Sequence, residues 1–141
     1  MPRYFNDGIR PVSFVADEDL TAWQYKTVQL TASGGNTVEK CISASQSTPI
    51  GILQNDPSAG QEAAVKCIGF TKARCDINST CHLVPGNLLM VACNSGGLMP
   101  VGTSGCAVVG RWVDELRSTS GSHIGNVLFY GIASDASGRT Y

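Results

Sequence analysis

The chain has 141 residues, which suffices for one domain with a substantial core and falls short of two ordinary ones. Its 10 basic and 11 acidic residues nearly cancel, and this balance argues against nucleic acid or an anionic membrane as a partner. Charged residues are only 15 % of the chain, and no uncharged apolar run approaches the roughly 20 residues of a membrane span, so we expect a surface suited to packing against another protein.

The first 20 residues differ in pattern from the rest of the chain. Prolines and glycine interrupt them, and neither helical nor strand periodicity is sustained. We therefore predict an extended N-terminal arm over residues 1–20 and a β domain over residues 21–141. Four arm residues belong to types enriched at interface hot spots and are candidate contacts with a partner: Arg3, Tyr4, Phe5 and Arg10. Packing of the arm on its own domain is an equal alternative.

From residue 21 onward, short apolar or β-branched runs alternate with turn sequences that contain Gly, Pro and Asn. This spacing is typical of an all-β protein, either a compact β-sandwich or a small barrel. We predict strands at residues 25–30, 37–42, 50–53, 62–70, 88–93, 106–113 and 126–132.

A weak internal repeat links residues 50–70 with residues 109–132. Gly51 matches Gly110 at a spacing of 59 residues, and Val65 matches Val127 at a spacing of 62. Each copy has a strand, a connector containing glycine and a second strand, which predicts a two-fold repeat of a β unit.

The six cysteines are predicted to be buried thiols rather than a disulfide framework. The N-terminus shows no apolar core of a secretory signal, which favours folding in a reducing cytosol. The closest pair, Cys75 and Cys81, has five residues between its members, whereas structural zinc sites use shorter spacings. We expect no metal and no cofactor.

The chain offers little for catalysis. His82 follows a cysteine beside a predicted strand, and His123 lies in a loop rich in serine. A Ser–His or Cys–His pair remains open from these positions, but hydroxyl-rich loops place serine near histidine in many β proteins. We predict no catalytic residues and a protein that is not an enzyme.

Several short motifs, in order, resemble those of the capsid cement or head decoration proteins of tailed phages. The resemblance runs from about Trp23 to Phe129 and rests on glycines set among apolar strands. These motifs are Thr48-Pro49-Ile50-Gly51-Ile52-Leu53, Ala59-Gly60-Gln61-Glu62-Ala63-Ala64-Val65, Ile68-Gly69-Phe70-Thr71-Lys72-Ala73, Val84-Pro85-Gly86-Asn87-Leu88-Leu89 and Val109-Gly110-Arg111-Trp112. The last motif departs from the family pattern, because Arg111 and Trp112 are bulkier than the usual residues.

The resemblance implies a structural virion protein that binds the outside of an assembled capsid and cements contacts between subunits of the major capsid protein. It also implies a homotrimer, formed in the host cytoplasm during assembly and then carried on the virion. Trp112 and Arg111 are candidate contacts with another subunit or with the capsid, although a tryptophan beside a strand is more often a core residue. The alternatives are a small β-fold hydrolase or metal-dependent enzyme, and a fibre or baseplate module.

Overall fold

The computed structural model describes residues 7–32, 34–42, 49–77, 82–91, 95–101 and 108–134, with side chains as far as residue 130. These ranges contain strands and no helix, and hence no helix that could cross a membrane. The predicted all-β class is confirmed. The strands are β1 Val12–Ala16, β2 Thr27–Leu30, β3 Thr37–Lys40, β4 Pro49–Leu53, β5 Glu62–Lys66, β6 Gly69–Ile77, β7 Leu88–Val91, β8 Leu98–Pro100, β9 Val108–Trp112 and β10 Gly121–Ser134.

The strands form two closed five-stranded barrels with the same topology. Around the first barrel the order is β1-β3-β2-β4-β5, and around the second it is β6-β8-β7-β9-β10. In each barrel the first and third strands are parallel, and every other neighbouring pair is antiparallel. The second barrel is therefore a tandem copy of the first.

The strand register confirms the repeat predicted from sequence. Val28 pairs with Gly51 in the first barrel, Leu89 pairs with Gly110 in the second, and a register shift follows both pairs. A side chain at either glycine would collide with the backbone of the next strand, at the carbonyl oxygen of Lys66 for Gly51 and of Leu128, 2.7 Å away, for Gly110. Both barrels thus need glycine at the same bend.

The N-terminal arm predicted over residues 1–20 is wrong from residue 12 onward. Strand β1 pairs with β3 on one side and with β5 on the other, so it closes the first barrel. Ala16 and Leu20 are buried in the core of that barrel. The prediction failed because the burial of β1 rises steadily along the strand instead of alternating. The single β domain predicted over residues 21–141 is likewise replaced by two barrels that begin at β1 and β6.

The two barrel cores use different residues at one equivalent position. Leu53 and Ala63 lie together in the first core, whereas Trp112 and Gly125 occupy the matching positions in the second. A side chain at Gly125 would collide with the Trp112 ring. The larger indole is therefore accommodated because its neighbour has no side chain.

The barrels pack against each other through the segment before β2, the start of β2, and β4. Tyr25 has a positive φ of 66°, and its carbonyl oxygen accepts a 2.8 Å hydrogen bond from the Arg74 amide in β6. The Thr27 amide and hydroxyl both donate to the Gly96 carbonyl, at 2.8 and 2.7 Å. Ile52 joins the apolar cluster of the second barrel. The first barrel thus inserts a piece of backbone into the second.

Candidate functional site

A largely buried ion pair fixes the start of the described chain on the first barrel. Lys66 Nζ lies 2.8 Å from Asp7 Oδ1, and the two side chains are only 9 % and 14 % exposed. Asp7 also accepts hydrogen bonds from the amides of Ile9, at 2.9 Å, and Phe70, at 2.6 Å. Lys66 Nζ donates in addition to the Ile9 carbonyl. We call this arrangement the Asp7 clip.

The surroundings of Asp7 favour its charged form. The hydrogen bond from Lys66 is the main reason that its pKa falls from 3.8 to about 2, and the amides of Ile9 and Phe70 act in the same direction. Burial opposes this shift but is outweighed. Gly69 has a φ of +102°, and a side chain there would collide with Asp7 Oδ2, so the clip also requires a glycine.

We expect Asp7→Asn to destabilise the protein at neutral pH and to have less effect in acid. Because the folded-state pKa of Asp7 is lowered to about 2, its contribution to stability is present above its usual pKa of 3.8. That contribution is lost as the pH falls through about 2. Thermal unfolding of wild type and variant between pH 2 and about pH 6 would measure the difference. Asp56→Asn, at an exposed loop position, is the control. A difference in stability between wild type and Asp7→Asn that stays constant with pH would contradict the clip.

A cavity of about 250 Å³ lies where the N-terminal segment meets the two barrels. Its lining is mixed in polarity and includes Asp7 and Lys66 of the Asp7 clip. The other lining residues are Ile9, Pro11, Tyr25, Gln54, Phe70, Thr71, Lys72 and Asn126. Gln54 and Thr71 are joined across the two barrels by a 2.8 Å hydrogen bond. The ion pair connects the N-terminal segment to the first barrel, and the hydrogen bond connects the first barrel to the second.

The side chains with nucleophilic or basic chemistry are dispersed. Burial raises the pKa of the Cys75 thiol strongly, and the nearby Asp76 carboxylate acts in the same direction. Burial also raises the pKa of Cys67. The His123 ring contacts the Thr119 carbonyl, with Nε2 2.6 Å from the oxygen. Over the described ranges, no cluster of three metal-ligating residues occurs.

Cys67 is expected to react with thiol reagents before Cys41 and Cys75. All three are present as thiols, but Cys41 and Cys75 are fully buried whereas Cys67 is partly exposed. Timed alkylation of the native protein followed by peptide mapping would give the order. Early labelling of Cys75, whose raised pKa disfavours the thiolate, would contradict this structure. Cys81, Cys93 and Cys106 lie outside the described residues.

The residues predicted as contacts differ in their exposure in the structure. Arg3, Tyr4 and Phe5 lie outside the described residues. Arg10 is exposed, three residues beyond the Asp7 clip. Trp112 is fully buried and donates a 2.9 Å hydrogen bond from Nε1 to the Glu115 carbonyl, so it belongs to the core and offers no surface to a partner.

Arg111 is exposed whereas Trp112 is buried, because successive side chains of β9 point to opposite faces. Its side chain is exposed, and Nη1 donates a 3.1 Å hydrogen bond to the Gly86 carbonyl. Leu88 pairs with it across β7 and is 40 % exposed. Sequence reasoning named Arg111 but missed Leu88, which only the strand register brings beside it.

Comparisons with known proteins show a likeness in fold. No family model matches the chain, and no curated protein sequence matches it. A crystal structure of the N base of head fiber gp8.5 in bacteriophage phi29 has a similar fold, with a TM-score of 0.57 and 14 % sequence identity. The similarity covers 84 % of this chain and 92 % of that one. At this identity the likeness shows a shared fold. It does not show membership of the head decoration family that the motifs resemble.

Proposed function

We propose that this protein is a structural component of a tailed-phage virion that binds the outside of the assembled capsid. The observation that carries the proposal is the shared fold with a phage head fiber base over most of both chains. The motifs similar to those of capsid cement proteins support the same assignment independently of the structure. The role is binding rather than catalysis, and the partner is the major capsid protein.

Cementing requires only that the protein bind the assembled shell more tightly than free capsid subunits. A ligand selective for one state stabilises that state by mass action, by roughly 2.7 kcal/mol when its concentration is 100 times the Kd. A homotrimer presents three linked copies of one contact and gains avidity from them. The protein would join the shell in the host cytoplasm and remain on the exterior of the virion.

Two regions are the proposed contacts with the capsid or with another subunit. The first is Arg3, Tyr4 and Phe5, which precede Asp7 in the sequence, and the Asp7 clip holds Asp7 itself on the first barrel. Arg10, three residues after Asp7, is exposed. Arg111, exposed on β9 of the second barrel, is the second candidate.

The fold likeness favours one other candidate function, the base of a head fibre. Such a base would fix an appendage to the capsid without strengthening it. The two roles differ in what the particle loses when the protein is missing. A cement protein changes the stability of the shell, whereas a fibre base changes only the appendages.

Particles assembled with and without this protein would separate the two roles. For a cement protein, we expect the shell without it to release its genome at lower temperature, and adding purified protein should restore the original temperature. Electron microscopy of the same particles reports the appendages. Unchanged thermal release with missing appendages would support the fibre base and contradict cementing.

A further inference from the structure

The tandem repeat leaves one copy of an interface uncovered. Thr27, Cys41 and Ile52 point outward from the first barrel and are fully buried against the second; we call them the covered face. The equivalent outward residues of the second barrel form what we call the open face. They are Leu88, Val101 and Arg111.

Matching hydrogen bonds establish that the two faces are equivalent. In the first barrel the Cys41 amide donates to the Thr27 carbonyl at 3.2 Å, and in the second the Val101 amide donates to the Leu88 carbonyl at 3.0 Å. Thr27 pairs with Ile52 as Leu88 pairs with Arg111. The same surface is thus fully buried in one barrel and only partly buried in the other, where Leu88 is 40 % exposed and Arg111 is exposed.

The surface that covers the first barrel also has an exposed equivalent. The second barrel covers the first with β6 and with the loop that contains Gly96, and Thr71 of β6 is only 7 % exposed there. The repeat places Val12 of β1 at the position of Thr71. Val12 is 46 % exposed. Each of the two surfaces that meet in the internal interface therefore has an accessible equivalent. One is the open face of the second barrel, and the other is the β1 side of the first barrel.

We propose that copies of this chain associate head to tail, with the open face of one copy bound to the β1 side of the first barrel of the next. A head-to-tail contact closes into a ring when its rotation permits and otherwise forms a filament. A ring of three would supply the trimer that the proposed function includes. The two surfaces also carry opposite charges, because the exposed Arg111 lies on the open face and the exposed Asp17 follows β1.

The contact between copies is expected to be weaker than the contact within the chain. In the second barrel, Arg74 and Gly96 bind the inserted backbone of the first barrel at Tyr25 and Thr27. In the first barrel the equivalent slot is closed, because the Val15 amide donates directly to the Asn36 carbonyl at 2.9 Å. Association therefore uses side chains alone and should depend on concentration.

Light scattering and sedimentation of three variants in solution, without particles, would test this inference. Leu88→Glu places a charge on the open face, and Val12→Glu places one on the β1 side. Ile124→Glu is the matched control, because Ile124 is 45 % exposed on β10 and belongs to neither face. Thermal unfolding of each variant confirms that it is folded.

We expect the wild type and Ile124→Glu to form the same oligomer, and Leu88→Glu and Val12→Glu each to have the mass of one chain. An equal mixture of those two monomeric variants should form dimers, because each supplies the face that the other lacks. A wild type that stays monomeric at every concentration would overturn the inference. So would an oligomer unaffected by Leu88→Glu, or a mixture that stays monomeric. Capsid binding is measured separately, so an open face that binds capsid but not a second copy also refutes head-to-tail association while leaving the proposed function standing.

Discussion

The double variant Trp112→Leu with Gly125→Ala is expected to be more stable than the sum of its two single changes predicts. Trp112→Leu alone should cost roughly 2–4 kcal/mol, because a smaller side chain leaves a cavity in the second core. Gly125→Ala alone should cost about 1–3 kcal/mol, because its methyl group would collide with the indole. Together the changes recreate the Leu53 and Ala63 pair of the first core.

The expected coupling between the two sites is about 1–3 kcal/mol, in the range measured for residues in contact. Recovery is incomplete because the hydrogen bond from Trp112 Nε1 to the Glu115 carbonyl is lost, at about 1 kcal/mol. Denaturant unfolding of the four proteins gives the coupling directly. Gly35→Ala is the control, since a side chain at Gly35 meets nothing within 4 Å. If the two substitutions change the free energy of unfolding in a strictly additive way, the equivalence of the two cores is contradicted.

Deleting residues 1–19 is expected to abolish cooperative folding of the first barrel. The deletion removes β1, and with it the backbone ladders to both β3 and β5. It also removes Ala16 from the core and leaves the buried Leu20 at a chain end. Domains are stable by only about 5–15 kcal/mol, so losing one of five barrel strands should exceed that margin.

Deleting residues 1–6 alone is the matched comparison. The Asp7 clip and β1 remain, so the midpoint of thermal unfolding should stay nearly unchanged. Circular dichroism and calorimetry of both deletions would test this. If the protein without residues 1–19 unfolds like the wild type, β1 is not part of the barrel. If the shorter deletion folds but no longer binds particles, the proposed contacts at Arg3, Tyr4 and Phe5 gain support.

The sequence predicted much of the fold because its strands carry local signals. Seven predicted strands correspond to described strands, although the predicted run at 62–70 holds β5 and the start of β6. The repeat was detectable because Gly51 and Gly110 both lie where a side chain would collide with the backbone of the next strand. The matched glycines thus indicated a repeated topology that no single strand could indicate alone.

The remainder depends on contacts between distant residues. Asp7 and Lys66 are 59 residues apart, and neither position differs locally from a solvated surface charge. Strand β1 lacks alternation because it is exposed at its start and buried at its end. Trp112 looked too bulky for its motif until Gly125, on the neighbouring strand, was known to leave it room. Spacing alone does not reveal such pairs.

Co-sedimentation of the purified protein with capsid particles that lack it tests the proposed function most directly. We expect the protein to pellet with assembled shells at a saturating copy number fixed by their symmetry, and to remain in solution with unassembled major capsid protein. The Ile124→Glu variant should behave like the wild type. Absence of the protein from pelleted shells at saturating concentration, or equal binding to unassembled subunits, would contradict a role in cementing the capsid.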